Sequence, residues 1–265
     1  MEKTDNYSGL TSSQFAPDLA LNNFIASGNL FPTQPSAIVS NGLVLYLDAG
    51  IGNSYPQAGT TWFDLSNRRN NGTLSQTTAN GVLYSSLYGG SLRFNGTTSP
   101  IGGGWIQCPL VMSNNSSFTI SAWFMTFNRS QSGQLICHNG TDSGGNGFGF
   151  AVNNESTTNG ELLLLYAAVA WVNTGFIVSS NIMYNVVVVV ESDRSSKTYV
   201  NGNLSFTGAT NNLITPTTHT QIGRNDFASF RFFNGLIPQV LIYNRVLSAA
   251  EVAQNFNAQR TRFGL

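Results

Sequence analysis

From Gly42 onward the chain alternates short apolar runs with Asn-, Gly- and Ser-rich breaks, the pattern of an all-β protein. Leu43–Leu47 followed by Asp48-Ala49-Gly50 predicts a strand that ends in a turn. Phe118–Phe127 alternates well: Phe118, Ile120, Ala122 and Phe124 point one way, Thr119, Ser121, Trp123 and Met125 the other. Tyr184–Val190 is β-branched and too apolar to be half exposed, which predicts an inner strand packed on both faces. Leu236–Tyr243 carries Pro238, which fits an edge or a bulge. Further strands are expected at Leu92–Phe94, Gln134–Cys137, Gly147–Val152, Glu161–Ala168, Gly175–Ile177, Lys197–Val200 and Thr220–Ile222, with tight turns at Asn95-Gly96 and Asn201-Gly202. One helix is expected. Ser248 caps it, Glu251 three residues on completes a capping box, and it ends near Asn257. Residues 1–40 keep neither the two-residue period of a strand nor the 3.6-residue period of a helix, and contain Pro17, Pro32 and Pro35. The expected organisation is therefore an N-terminal extended arm, 1–40, and a sandwich domain, 41–265.

Composition narrows the function. Charged residues make up 9% of the chain and the formal net charge is zero, against roughly 25% charged in an average soluble protein. Lys3 and Lys197 are the two lysines. No basic stripe can neutralise phosphates, so no nucleic-acid partner is expected. A polybasic membrane anchor fails for the same reason, and no apolar run reaches the ~18 residues of a membrane span, so no membrane insertion is expected. The start, MEKTDNYSG, lacks the pattern of a secretory leader. Cys108 and Cys137 read as two lone buried thiols, and with His138 and His219 they form no zinc-type spacing.

The motifs GLVLYLDAG (Gly42–Gly50), WFDLSNRRNNGTL (Trp62–Leu74), FNG (Phe94–Gly96) and SFTISAWF (Ser117–Phe124) occur in that order. YVNG (Tyr199–Gly202), IGR (Ile222–Arg224) and the run Phe233–Phe256 follow them. Together they resemble the laminin-G-like, concanavalin A-like lectin/glucanase superfamily, in particular the copies found in virion proteins of tailed bacteriophages. The resemblance spans residues 42–265 and implies a two-sheet antiparallel jelly-roll sandwich. It also implies localisation in the virion, as a capsid decoration, fibre or tail-associated subunit. The partners would be other virion proteins, further copies of the chain and a host-surface glycan. The alternatives are a carbohydrate-binding lectin-like module and a cellular adhesion module.

Retaining glucanases of this fold carry an E-x-D-x-E run, which places two carboxylates ~5–5.5 Å apart. Here Glu191-Ser192-Asp193 is followed by serines at 195 and 196 and falls in a turn, so no enzyme is expected. His138 and His219 lie in polar contexts and read as surface loop histidines. No cofactor is required. Calcium-binding relatives use loop oxygens, for which Asp48, Asp64, Asp142, Asn146 and Asp226 are the candidates. Asp64 has a competing use, accepting backbone N–H bonds in the turn that follows it. Trp105 and Trp171, the latter with Asn173 nearby, are candidate sugar platforms, whereas Trp62 and Trp123 read as core. Phe15, Leu19, Phe24, Ile25, Leu30 and Phe31 give the arm an apolar character suited to assembly.

Overall fold

The computed structural model describes residues 37–75, 81–96, 103–112, 117–141, 147–166, 170–193, 195–209, 216–224 and 231–265. Asp142, Asn146, Asp226 and the six apolar candidates between Phe15 and Phe31 lie outside them. The described residues form two eight-stranded sheets, in which every strand pair is antiparallel, and one α-helix. The first sheet runs β14 (Asn203–Ala209), β13 (Ser195–Val200), β12 (Tyr184–Val190), β7 (Phe118–Thr126), β16 (Gly235–Tyr243), β5 (Ser91–Phe94), β4 (Val82–Ser85), with β1 (Leu43–Asp48) on the remaining length of β16. The second runs β11 (Ala170–Ile177), β10 (Glu161–Tyr166), β9 (Gly147–Val152), β8 (Gln134–Gly140), β15 (His219–Ile222), β6 (Ile106–Pro109), β3 (Gly72–Leu74), β2 (Thr61–Trp62).

Alternation decides which side chains meet between the sheets. Ile120, Ala122 and Phe124 of β7, with Val186 and Val188 of β12, face Phe148 and Phe150 of β9 and Leu162 and Leu164 of β10 in one core that also holds Trp62. The opposite sides of β7 and β12 are buried too, because a second layer lies on them. Val187, Val189, Leu241 and Tyr243 pack under Val252 of α1 (Ala249–Gln259). Trp123 is covered by Phe263, stacked with ring centroids 4.1 Å apart, and by Phe256 at 5.7 Å. The β-branched run of β12 is thus wholly buried, as its composition demands.

The helix starts where its capping box places it. Glu251 N–H donates to Ser248 Oγ at 3.2 Å, and Ser248 N–H donates to Glu251 Oε2 at 2.9 Å. Arg245 adds a bond to Glu251 Oε1 at 2.6 Å and holds that carboxyl down at about 2, well below its ordinary value. Residues 37–40, at the end of the expected arm, pack with the sandwich. Val39 N–H donates to buried Asn255 Oδ1 at 2.8 Å, and Gln254 Nε2 donates to Ala37 O at 2.7 Å. The compact unit accordingly begins at Ala37.

Pro238 sits at a register shift of β16 against β7, between Leu236 and Gln239, in an inner strand rather than an edge. Its carbonyl accepts Ala49 N–H at 2.9 Å. The Asn201-Gly202 turn takes φ of 50° and 78°, as a tight hairpin requires.

Candidate functional site

Asp48 and Asp64 anchor the fold. Both Asp48 oxygens meet Arg262 Nη1, at 2.7 and 2.8 Å, and Oδ2 also accepts Gln239 Nε2 at 2.7 Å. Arg262 further donates to the Tyr88 and Gly90 carbonyls. A Cβ at Gly50 would lie 2.6 Å from the guanidinium carbon, which explains the glycine after Asp48-Ala49. Asp64 accepts from Tyr46 N–H, Ser66 N–H, Ser66 Oγ and Asn70 N–H, all within 2.8 Å, and thereby closes the open edge of β1. These oxygens are committed to protein donors and do not fit a calcium ion. Among the described residues no three His, Cys, Asp or Glu side chains gather.

Glu191 and Asp193 belong to the β12–β13 hairpin. Glu191 pairs with Lys197 at 2.6 Å, and Asp193 Oδ1 accepts Ser195 N–H at 2.8 Å, which holds the Asp193 carboxyl below its ordinary range. Cys108 and Cys137 are free and fully buried. Burial pushes the Cys137 thiol up to about 12 and Cys108 also upward, so neither is a nucleophile.

The outer face of the second sheet is different. Register aligns one outward residue from every strand in a single row: Thr61, Thr73, Gln107, Gln221, His138, Gly149, Leu165 and Trp171. The row is polar from β2 to β8 and apolar at β10 and β11. Over its polar half lies a groove of about 630 Å³ lined by Asn71, Thr73, Ser75, Trp105, Gln107, Cys108, Pro109, Thr218 and His219. Trp105 is half-buried. Its backbone N–H donates to Ser75 Oγ at 2.9 Å, and the Arg224 guanidinium lies 4.1 Å from the ring centroid. Thr218 holds φ at +74°, a left-handed conformation costly for a β-branched residue.

The histidines depart from the surface-loop expectation. His138 is buried in β8, its imidazole laid across β9. A Cβ at Gly147 would come 2.5 Å from Cε1, and one at Gly149 would come 2.9 Å from Cδ2. Its Nδ1 is 3.0 Å from Gly140 O, so Nδ1–H donates there. His219 opens β15 half-buried and lines the groove. The strands expected at Gln134–Cys137 and Thr220–Ile222 are present and each extends over its neighbouring histidine, whose polar flanking residues suggest a loop.

Of the two expected sugar platforms, only Trp105 lines the groove. Trp171 lies five strands away, about 24 Å at ordinary strand spacing. It packs on Leu135, Ala151 and Leu165, with Arg231, itself paired to Glu155, 5.2 Å from its ring centroid. Asn173 is exposed and accepts Gly175 N–H through Oδ1 at 2.8 Å. Gln107, Gln221, Thr73 and Thr218 were not singled out by motif. For Gln107 and Gln221 the signal is the alternation in IQCP and HTQI, which turns each glutamine outward.

Two antiparallel sheets and a neutral, aromatic-floored groove define the class of lectin-like jelly rolls. Residues 100–253, more than half of the chain, match the profile of the concanavalin A-like lectin/glucanases superfamily, and the chain belongs to that family. No curated protein sequence matches it. Among solved structures it is similar to domain 4 of AbnA, a GH43 extracellular arabinanase of Geobacillus stearothermophilus in complex with arabinotriose. The identity is 17%, the match covers 82% of this chain and 99% of that one, and the TM-score is 0.60. It is also similar to Trypanosoma rangeli sialidase in complex with the inhibitor DANA, at 19% identity and TM-score 0.60, covering 96% of this chain and 40% of the sialidase. A third is the binding domain of Paraclostridial Mosquitocidal Protein 1, at 18% identity and TM-score 0.59, covering 82% of this chain and 52% of that one. At these identities the likeness is one of fold, and the chain spans about half or less of the sialidase and toxin chains.

Proposed function

We propose that the chain is a non-catalytic, lectin-like module that holds a glycan in the groove over β3, β6 and β15. The lining carries this reading. An indole offers a flat apolar surface to the C–H face of a sugar ring, while the Asn71 and Gln107 amides and the Thr73, Ser75 and Thr218 hydroxyls offer donors and acceptors to its hydroxyls. The carboxylates at 191 and 193 are engaged in a hairpin of the other sheet, which supports binding without hydrolysis. The arabinotriose bound by the similar AbnA domain makes that trisaccharide the first ligand to titrate. Calorimetry on the full chain should show binding that Trp105→Ala and Gln107→Ala both weaken. Unchanged affinity in Trp105→Ala, or no binding across a broad glycan array, overturns the reading.

The setting we propose is a virion, as the sequence resemblance implies, with residues 1–36 as the connector to neighbouring subunits. One observation favours the connector role. The residues that follow the proposed connector, Ala37–Val39, are pinned to α1 by two hydrogen bonds, which gives a connector a firm point of attachment. A chain shortened to begin at Ala37 should fold and bind glycan but no longer assemble. Assembly at full-length affinity would place the contact on the sandwich instead.

A further inference from the structure

We infer that Gln221 is a specificity-determining residue of the groove, which accepts a hydrogen bond from a neutral, hydroxyl- or amide-bearing saccharide. This rests on the glycan-binding reading and goes one step further, to the chemistry of the ligand. Gln221 is 1% exposed, and its Oε1 is buried with no hydrogen-bond partner among the described residues. Register and alternation place it beside the groove. Gln107 stands directly opposite on β6, His219 is two residues along the same strand, and both line the groove. A buried carbonyl without a donor is costly, and one that lies beside a groove can recover that cost from a donor on a bound ligand.

Thr218, three residues earlier and in the groove wall, carries an independent cost in its positive φ. The two unfavourable features lie within four residues of each other, Thr218 just before β15 and Gln221 at its third position, while the backbone from Thr220 to Ile222 is regularly paired on both sides.

The polarity of the ligand follows. An unpaired acceptor repels a carboxylate and attracts an O–H or N–H. No aspartate, glutamate, lysine or arginine is among the described lining residues, and the nearby Arg224 guanidinium is seated on the Trp105 ring. The groove therefore suits uncharged sugar units over uronates or sialates.

The test uses Gln221→Met, which keeps length and volume and removes the acceptor, on the full chain. Neutral pentose and hexose trisaccharides and their uronate- or sialate-bearing counterparts are titrated separately. Gln221→Met should bind the neutral trisaccharide roughly three- to tenfold more weakly while its melting midpoint holds or rises, because an unsatisfied buried polar atom has been removed. Asn185→Leu is the control. Asn185 Oδ1 is also buried without a partner, but on the first sheet, so its loss should leave affinity alone. A lowered midpoint with unchanged affinity in Gln221→Met would make Gln221 a structural residue and overturn the inference. So would salt-sensitive binding of acidic glycans alone, which would leave the glycan reading standing. Binding of no glycan by the wild-type chain would remove both.

Discussion

The two outer faces of the sandwich are built from the same alternating strands and end differently. On the first sheet, Trp123 is enclosed by Phe256 and Phe263. Thr119 Oγ1 donates to Arg245 O and accepts Leu247 N–H, and Asp48 is saturated by Arg262, Gln239 and Gly50. α1, the turn that follows it and residues 37–40 supply this covering. On the second sheet the corresponding positions are Thr73, Gln107 and Gln221. No helix covers them among the described residues, and a groove, an unpaired acceptor and a strained threonine gather there. The first face engages Asp48 and Thr119 inside the chain. On the second, the glycan-binding reading proposed above assigns Gln107 and Gln221 to a ligand.

The largest expected effect breaks the covered face. Arg262→Ala leaves the Asp48 carboxylate, 1% exposed, without its cation, and should cost about 3–5 kcal/mol in chemical denaturation. Asp48→Asn added to it should recover part of that loss. Glycan affinity of the folded fraction should not change, and a parallel loss of affinity would show that the two faces are coupled.

Next in size, and confined to the other face, Trp105→Ala should reduce glycan affinity by about 2 kcal/mol, roughly thirtyfold. Its melting midpoint should fall far less than that of Trp123→Ala, since Trp105 is half-buried and Trp123 is enclosed.

How much of this was legible in the sequence differs between the faces. β7 announced itself by its alternation, β12 and β16 because both their sides are largely apolar, and α1 because its cap is a local signal read from Ser248 and Glu251 alone. Asp64 was legible as a turn acceptor. The role of Asp48 was not, since its partner is Arg262, more than two hundred residues away. β6 and β14 escaped notice, IQCP being short and NLSFTGA an exposed edge with little alternation. Trp105 could be flagged by residue type. Its companions Gln107, Gln221 and Thr218 could not, because they become neighbours only through the register of β3, β6 and β15, which the sequence does not reveal. His138 misled because the residues that shield it, Gly147 and Gly149, look like loop formers and are instead the space its ring needs.

Smaller effects sharpen the picture of the covered face. Ser248→Ala should lower stability by about 1 kcal/mol in thermal denaturation. Smallest is a pH effect. The Glu251 carboxyl, held at about 2 by Arg245 and the Ser248 N–H against an ordinary 4.5, contributes stability that is fully present above 4.5. That stability is lost as pH falls toward 2. Glu251→Gln should flatten the melting midpoint across that window. An unchanged slope would assign the acid sensitivity to another group.

The chain's four tryptophans report on four places at once: Trp62 in the core, Trp105 in the groove, Trp123 beneath the C-terminal segment, and Trp171 at the far edge of the second sheet. Their indole N–H resonances, followed during titration of the full chain with a neutral trisaccharide, test the central claim directly. The Trp105 signal should move in proportion to binding while those of Trp62, Trp123 and Trp171 stay in place. Saturable binding that shifts Trp171 or Trp123 and leaves Trp105 unmoved would contradict it.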